Sequence, residues 1–310
     1  MRNKIHFNQL LPFTISLSIF TIAAILGWFK LRYGFNFSDE GGQMTESWRI
    51  TVGDEFLGDK FTGTLLRAAT LIISLVFKLY PGITLLGFRE LQFFLTIISL
   101  LFLSFALYKI NKDFWYQPAI FSIFAFTGLD PVGMISNLNY WTYPHLFITL
   151  YLAFFIMGMH QPSVLLKKIL YATTGVFLWL ISFSLLHMSF VVISVVLLFV
   201  IIKRFKFESL DFDFKDLCFV IAPVLLLWII FIGIYGNAFI QDVISSVQLQ
   251  LSSSTHSAGS LISINGEALK RVIITFFFMI AFLWSTKISK TVSLVGLSFI
   301  LSIYFFRRSS

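Results

Sequence analysis

Apolar runs about as long as a bilayer is thick recur along most of the chain, separated by short polar or basic turns. Nine of them read as spanning helices: 10–29, 88–108, 114–129, 144–160, 169–185, 187–202, 217–235, 271–286 and 291–306. A helix needs ~20 mostly apolar residues to cross the hydrocarbon core. It also satisfies its own backbone N–H and C=O groups, which lipid cannot do. The pattern therefore predicts an all-α, polytopic transmembrane protein of about nine spans, one transmembrane domain over 1–310. The first run is too long for a signal-peptide core, and no small-residue cleavage site follows at Gly27, Trp28, Phe29 and Lys30. It reads as a retained first helix.

The segment Thr64 to Tyr80 departs from the pattern. It is apolar, but Arg67 and Lys78 leave only 68–77 uncharged, about half of what a span requires. A charge at mid-bilayer costs roughly 2.5–3.5 kcal/mol on insertion scales. The segment reads instead as a helix lying at the interface, with Arg67 and Lys78 reaching to water. Residues 30–87 then form one outer loop containing interfacial helices.

Composition agrees. The chain is 57% hydrophobic and only 12% charged, against about 25% charged in soluble domains, which leaves no soluble-domain reading. The formal net charge of +8 does not point to nucleic acid. Its basic residues cluster between apolar runs, at Lys109 and Lys112, Lys167 and Lys168, Lys203 to Lys215, and Lys287 and Lys290, whereas 130–143 and 185–188 carry none. The positive-inside rule then predicts a multi-pass cell-membrane protein with a cytoplasmic N-terminus. Residues 30–87, 130–143 and a second large loop at 236–269 face out. The single cysteine, Cys218, excludes an internal disulfide and reads as a packing residue.

The charge pattern also marks where chemistry could sit. Six of the 15 acidic residues fall between positions 39 and 59. Asp39, with Glu40 as alternate, is a candidate general base at the membrane surface; the simpler reading is that Ser38 or Asp39 caps a short amphipathic helix. Asp130, beside Pro131, is the only acid between Asp113 and Glu208. An ionisable group at a membrane boundary is a functional candidate, and an interfacial helix terminator is the alternative. Arg89 could fork onto a phosphate or snorkel. His145, after Tyr143 and Pro144, is either an interfacial anchor or a substrate contact. The histidines show no metal-ligand spacing. There is no phosphate-cradling glycine motif, nucleophile elbow or zinc signature, so any transport would be secondary.

These pieces, in order, resemble the GT-C membrane glycosyltransferases, the group of the protein O-mannosyltransferases and the aminoarabinose transferases. Ser38-Asp39-Glu40-Gly41, an amphipathic stretch, Gly53 and Gly58-Asp59-Lys60 resemble that family's first outer loop. The apolar interfacial helix at 64–80 and Gly87-Phe88-Arg89 follow. Gly128-Leu129-Asp130-Pro131 resembles its second outer-loop acid, and 169–202 its paired short helices. The match covers about the first 205 residues, and at 310 residues the chain would be a short member.

The resemblance implies transfer of a sugar from a polyprenyl-phosphate-linked donor to an acceptor on the outer face. That acceptor could be a lipid, a glycan or a protein. Asp39, Glu40 and Asp130 would be catalytic, and Arg89, Lys60, Asp59 and His145 would bind substrate. Membrane lipid is an implied partner and nucleic acid is not. Nothing demands a cofactor, although a divalent cation would suit these carboxylates. Two other classes fit the same chain. A secondary transporter or flippase would carry ionisable groups near mid-bilayer and paired broken helices. A non-catalytic membrane assembly protein would tolerate Asn at positions 39 and 130.

Overall fold

The computed structural model describes residues 7–33, 39–54, 56, 67–110, 142–184 and 214–252. Among the described residues there are seven helices and no strand. They are α1 Phe7–Lys30, α2 Asp39–Thr51, α3 Arg67–Leu79, α4 Leu85–Ile110, α5 Thr142–Met159, α6 Val164–Ser184 and α7 Phe214–Ser252. Among the described residues four helices are long and apolar enough to cross a bilayer: Leu85–Lys109, Thr142–Met159, Val164–Ser184 and Lys215–Gln241. The expected first span, 10–29, falls within α1. The expected spans 114–129, 187–202, 271–286 and 291–306 lie outside the described residues.

The chain divides into two compact units. One holds residues 1–56 and 65–234, the other 57–64 and 235–310. In the second, the described residues 235–252 are helical. The sequence reading gives 236–269 as a long polar outer loop because it is rich in Ser and carries Asp242 and Glu267. Gly236 interrupts the helix, at φ 52° and ψ −130°. Glycine adopts that backbone without a Cβ penalty, and helix resumes beyond it.

Within the first unit, side-chain contacts fix the helix directions. Trp28, near the end of α1, packs on Phe93 and Phe94, near the start of α4, with ring centroids 5.6 Å apart in both pairs. Ala23 and Leu100 join the same cluster further along, so α1 and α4 are antiparallel. α5 and α6 form an antiparallel pair, with Phe154 on Phe177 and Phe155 on Tyr171. Gly158 lets the Tyr171 ring lie against α5, since a β-carbon there would come within 2.7 Å of it.

α6 and α7 run parallel. Lys167 bonds Asp216 at 2.9 Å near their starts. Gly175 meets Val220 and Pro223 midway, and Phe183 meets Trp228 and Phe231 further on. A β-carbon on Gly175 would collide with the Val220 carbonyl. Small residues at such crossings let helix backbones approach closely, which is how helices associate where lipid removes the hydrophobic drive.

The packing is inside-out relative to a soluble bundle. Along α4, Arg89, Gln92, Thr96 and Ser99 are buried, whereas Phe94, Ile98, Leu101 and Phe105 are exposed. Along α7, Leu225, Leu226, Ile229 and Ile230 are exposed as well. Water would penalise that much bare apolar surface, whereas lipid does not. Polar groups in spanning helices correspondingly turn to the protein interior.

Candidate functional site

Thr84 begins α4 as its cap, its Oγ1 accepting a hydrogen bond from the Gly87 amide at 3.1 Å. That bond satisfies one of the free N–H groups of the first turn. Phe88 is buried against Phe77 of α3, with centroids 4.8 Å apart. Arg89 thereby enters the protein one residue later, only 4% exposed. Its Nε donates to Glu40 Oε1 at 2.7 Å and its Nη2 to Glu40 Oε2 at 2.6 Å. Its Nη1 donates to the Leu31 carbonyl at 2.7 Å.

The electrostatics explain why these groups meet. Leu31 follows the last residue of α1, where free carbonyls make the helix end partially negative. Glu40 is the second residue of α2, where free N–H groups favour a carboxylate. A planar guanidinium can serve both at once, forking onto the carboxylate while a third nitrogen takes the carbonyl. Arg89 therefore ties the end of α1, the start of α2 and the start of α4 together. Glu40 is fully buried, so burial of each charge is offset by the other.

Two polar stripes run from this pair. On α2 the buried polar residues are Glu40, Gln43 and Ser47, and on α4 they are Arg89, Gln92, Thr96 and Ser99. Steps of three and four residues keep each set on one helix face. The hydroxyls bond back to their own helices: Ser47 to the Gln43 carbonyl at 2.6 Å, Thr96 to the Gln92 carbonyl at 2.9 Å and Ser99 to the Thr96 carbonyl at 2.8 Å. Neither carboxamide has a hydrogen-bond partner, at oxygen or at nitrogen. Gln92 is 1% exposed and Gln43 5%.

The structure thus brings together two of the residues singled out from sequence, Glu40 and Arg89. Asp39 is the first residue of α2, next to Glu40; its backbone position alone is described. His145 sits half-buried in the first turn of α5, its carbonyl accepting from Thr149 Oγ1 at 2.8 Å. Asp59, Lys60 and Asp130 lie outside the described residues. Among the described residues no group of three or more His, Cys, Asp or Glu could hold a metal ion. The sequence reading passed over Gln43, Gln92, Thr96 and Ser99. The available signal was their helical spacing, in step with Glu40 and with Arg89. No protein-family model, curated protein or solved structure matches the chain.

Proposed function

We propose that the protein is a cell-membrane glycosyltransferase of the GT-C type, moving a sugar from a polyprenyl-phosphate-linked donor to an acceptor on the outer face. The observation that supports this reading best is the buried Glu40–Arg89 pair. It fastens the acidic start of α2 to the adjoining ends of α1 and α4, so Asp39 is carried on a rigid element rather than a free loop. In this proposal Glu40 and Arg89 are positioning residues, and Asp39 is the base. Asp39 takes the proton of the acceptor hydroxyl or amine as that atom attacks the anomeric carbon. The bond from the anomeric carbon to the phosphate oxygen breaks, and the polyprenyl phosphate leaves with the electron pair. A basic group at the membrane surface stabilises the departing anion. Asp130 and His145 orient acceptor and sugar.

The test uses the purified full-length protein in proteoliposomes, supplied with radiolabelled polyprenyl-phosphoryl hexoses and a membrane-extract acceptor pool. Asp39→Asn should lower transfer by about 100-fold or more while expression and reconstitution stay normal. Full activity in that variant removes Asp39 from the base role, and wild type that transfers nothing from any donor overturns the enzyme reading. A transporter or flippase is the second reading, favoured by the polar stripe that continues past Arg89 to Ser99 within an apolar helix. It predicts Gln92-dependent movement of solute or lipid across the proteoliposome membrane with no covalent transfer.

A further inference from the structure

Gln43 and Gln92 each sit one helical turn beyond a member of the same ion pair, Gln43 from Glu40 on α2 and Gln92 from Arg89 on α4. Residues three apart on a helix have β-carbons about 5–6 Å apart, so each carboxamide lies on the same helix face as its own member of the pair, one turn along from it. Each amide offers two donors and two acceptor lone pairs, and here neither has a protein partner. A buried amide left this way is costly to a fold, and an apolar residue of the same size would be better for stability alone. Two such groups beside one ion pair mark a place organised for something that hydrogen-bonds.

The charges specify what that something is. Glu40 and Arg89 neutralise each other at 2.6 Å, and the guanidinium also serves the Leu31 carbonyl. The pair itself therefore offers an anion no net positive charge. What the site offers is mixed donor and acceptor capacity at two amides, continued by the Thr96 and Ser99 hydroxyl oxygens. That matches an uncharged group bearing several hydroxyls, each of which both donates and accepts. We infer that Gln43 and Gln92 form the subsite for the sugar ring of the donor, leaving the phosphate to be held elsewhere. This rests on the lipid-linked-sugar reading above, and it removes Arg89 from direct phosphate contact.

The experiment measures binding to the full-length protein in nanodiscs, using farnesyl phosphate and farnesyl-phosphoryl glucose, mannose and galactose as probes. At least one glycosylated probe should bind about tenfold tighter than farnesyl phosphate, a difference that two or three hydrogen bonds supply. Gln92→Met and Gln43→Met keep the length and unbranched shape of the side chain, so folding is retained. Each should bring the glycosylated probe down to the farnesyl phosphate level while leaving farnesyl phosphate binding unchanged. The ligand-free variants should melt no lower than wild type, because a costly unpaired amide has been removed. Equal binding of all four probes by wild type overturns the subsite, as does discrimination that survives both substitutions. A melting temperature several degrees lower in the variants overturns it too, by showing that the amides serve the fold. Binding is read without turnover. If a glycosylated probe binds in a Gln92-dependent way yet no sugar is transferred, the subsite stands and the transferase reading falls.

Discussion

Glu40 and Arg89, residues of two different helices, form a bidentate ion pair of 2.6 and 2.7 Å with both side chains withdrawn from solvent. A pair of this kind is asymmetric in energy. Removing one member strands a buried charge at about 3–5 kcal/mol, whereas replacing both with apolar residues can be close to neutral. Arg89→Leu and Glu40→Leu should therefore each destabilise the protein by about 3 kcal/mol or more. The double variant should be distinctly more stable than either single one, giving a large favourable coupling in a thermal-denaturation double-mutant cycle. Arg89→Lys should behave nearly as badly as Arg89→Leu, because an ammonium cannot fork onto Glu40 and reach Leu31 together. Additive single effects would show that the two side chains do not act as a unit.

The crossing of α6 and α7 gives a second prediction. Its backbones approach at Gly175, where a β-carbon would meet the Val220 carbonyl rather than a movable side chain. Gly175→Ala should destabilise the packed helices by about 1–3 kcal/mol, the usual range for overpacking. Gly233 of α7, where an added β-carbon meets nothing within 4 Å, supplies the matched control, costing only what its local backbone requires. The same crossing is tied at its start by Lys167 and Asp216, each largely buried. Exchanging the two, as Lys167→Asp with Asp216→Lys, should restore much of the stability that either single reversal removes. The measurement is the melting temperature in detergent. Equal loss for Gly175→Ala and Gly233→Ala would place the α6–α7 approach elsewhere.

How much of this was legible in the sequence depends on which interaction sets each feature. Spanning runs are set by local hydropathy, so α4, α5, α6 and the first part of α7 could be read directly, and the ends of α4 to within about three residues. The halt of α3 at Leu79 is legible too, one residue before the end of the expected segment at Tyr80. The helix beyond Gly236 was not, because it is amphipathic and its Ser and Gln residues resemble a loop when no partner face is in view. The candidate site divides in the same way. Glu40 and Arg89 stand out as charges in apolar surroundings, but they are 49 positions apart. No local rule says that one satisfies the other, so the sequence alone offers Arg89 as a phosphate contact or a snorkelling residue and Glu40 as an alternate base. Gln92, Thr96 and Ser99 were overlooked for the opposite reason, since uncharged residues inside a long span barely alter its hydropathy. Only their common face, shared with Arg89, gives them away.

Sidedness is the remaining link between this geometry and any outer-face chemistry. α1 and α4 are antiparallel, with Leu31 and Arg89 meeting at one end. A chain that leaves α1 and enters α4 at the same end crosses the bilayer between them an even number of times. α2 is polar, and α3 at 13 residues is about 20 Å long, short of the ~30 Å hydrocarbon core, so the number expected is zero. Val52 and Tyr80, both exposed, should therefore lie on one side of the membrane, and the positive-inside pattern predicts that this side is the outer one. Ser163, in the turn between α5 and α6 beside Lys167 and Lys168, should lie on the other. Cys218 is exposed and is replaced by serine first. A single cysteine is then introduced at Val52, Tyr80 or Ser163, and cells are treated with a membrane-impermeant thiol reagent. Val52→Cys and Tyr80→Cys should label in intact cells, and Ser163→Cys only after permeabilisation. The reverse pattern would invert the protein and move Asp39 to the cytoplasmic face. Labelling of Val52 and Tyr80 from opposite sides would make α3 a span and separate the two ends of the Asp39 loop across the membrane.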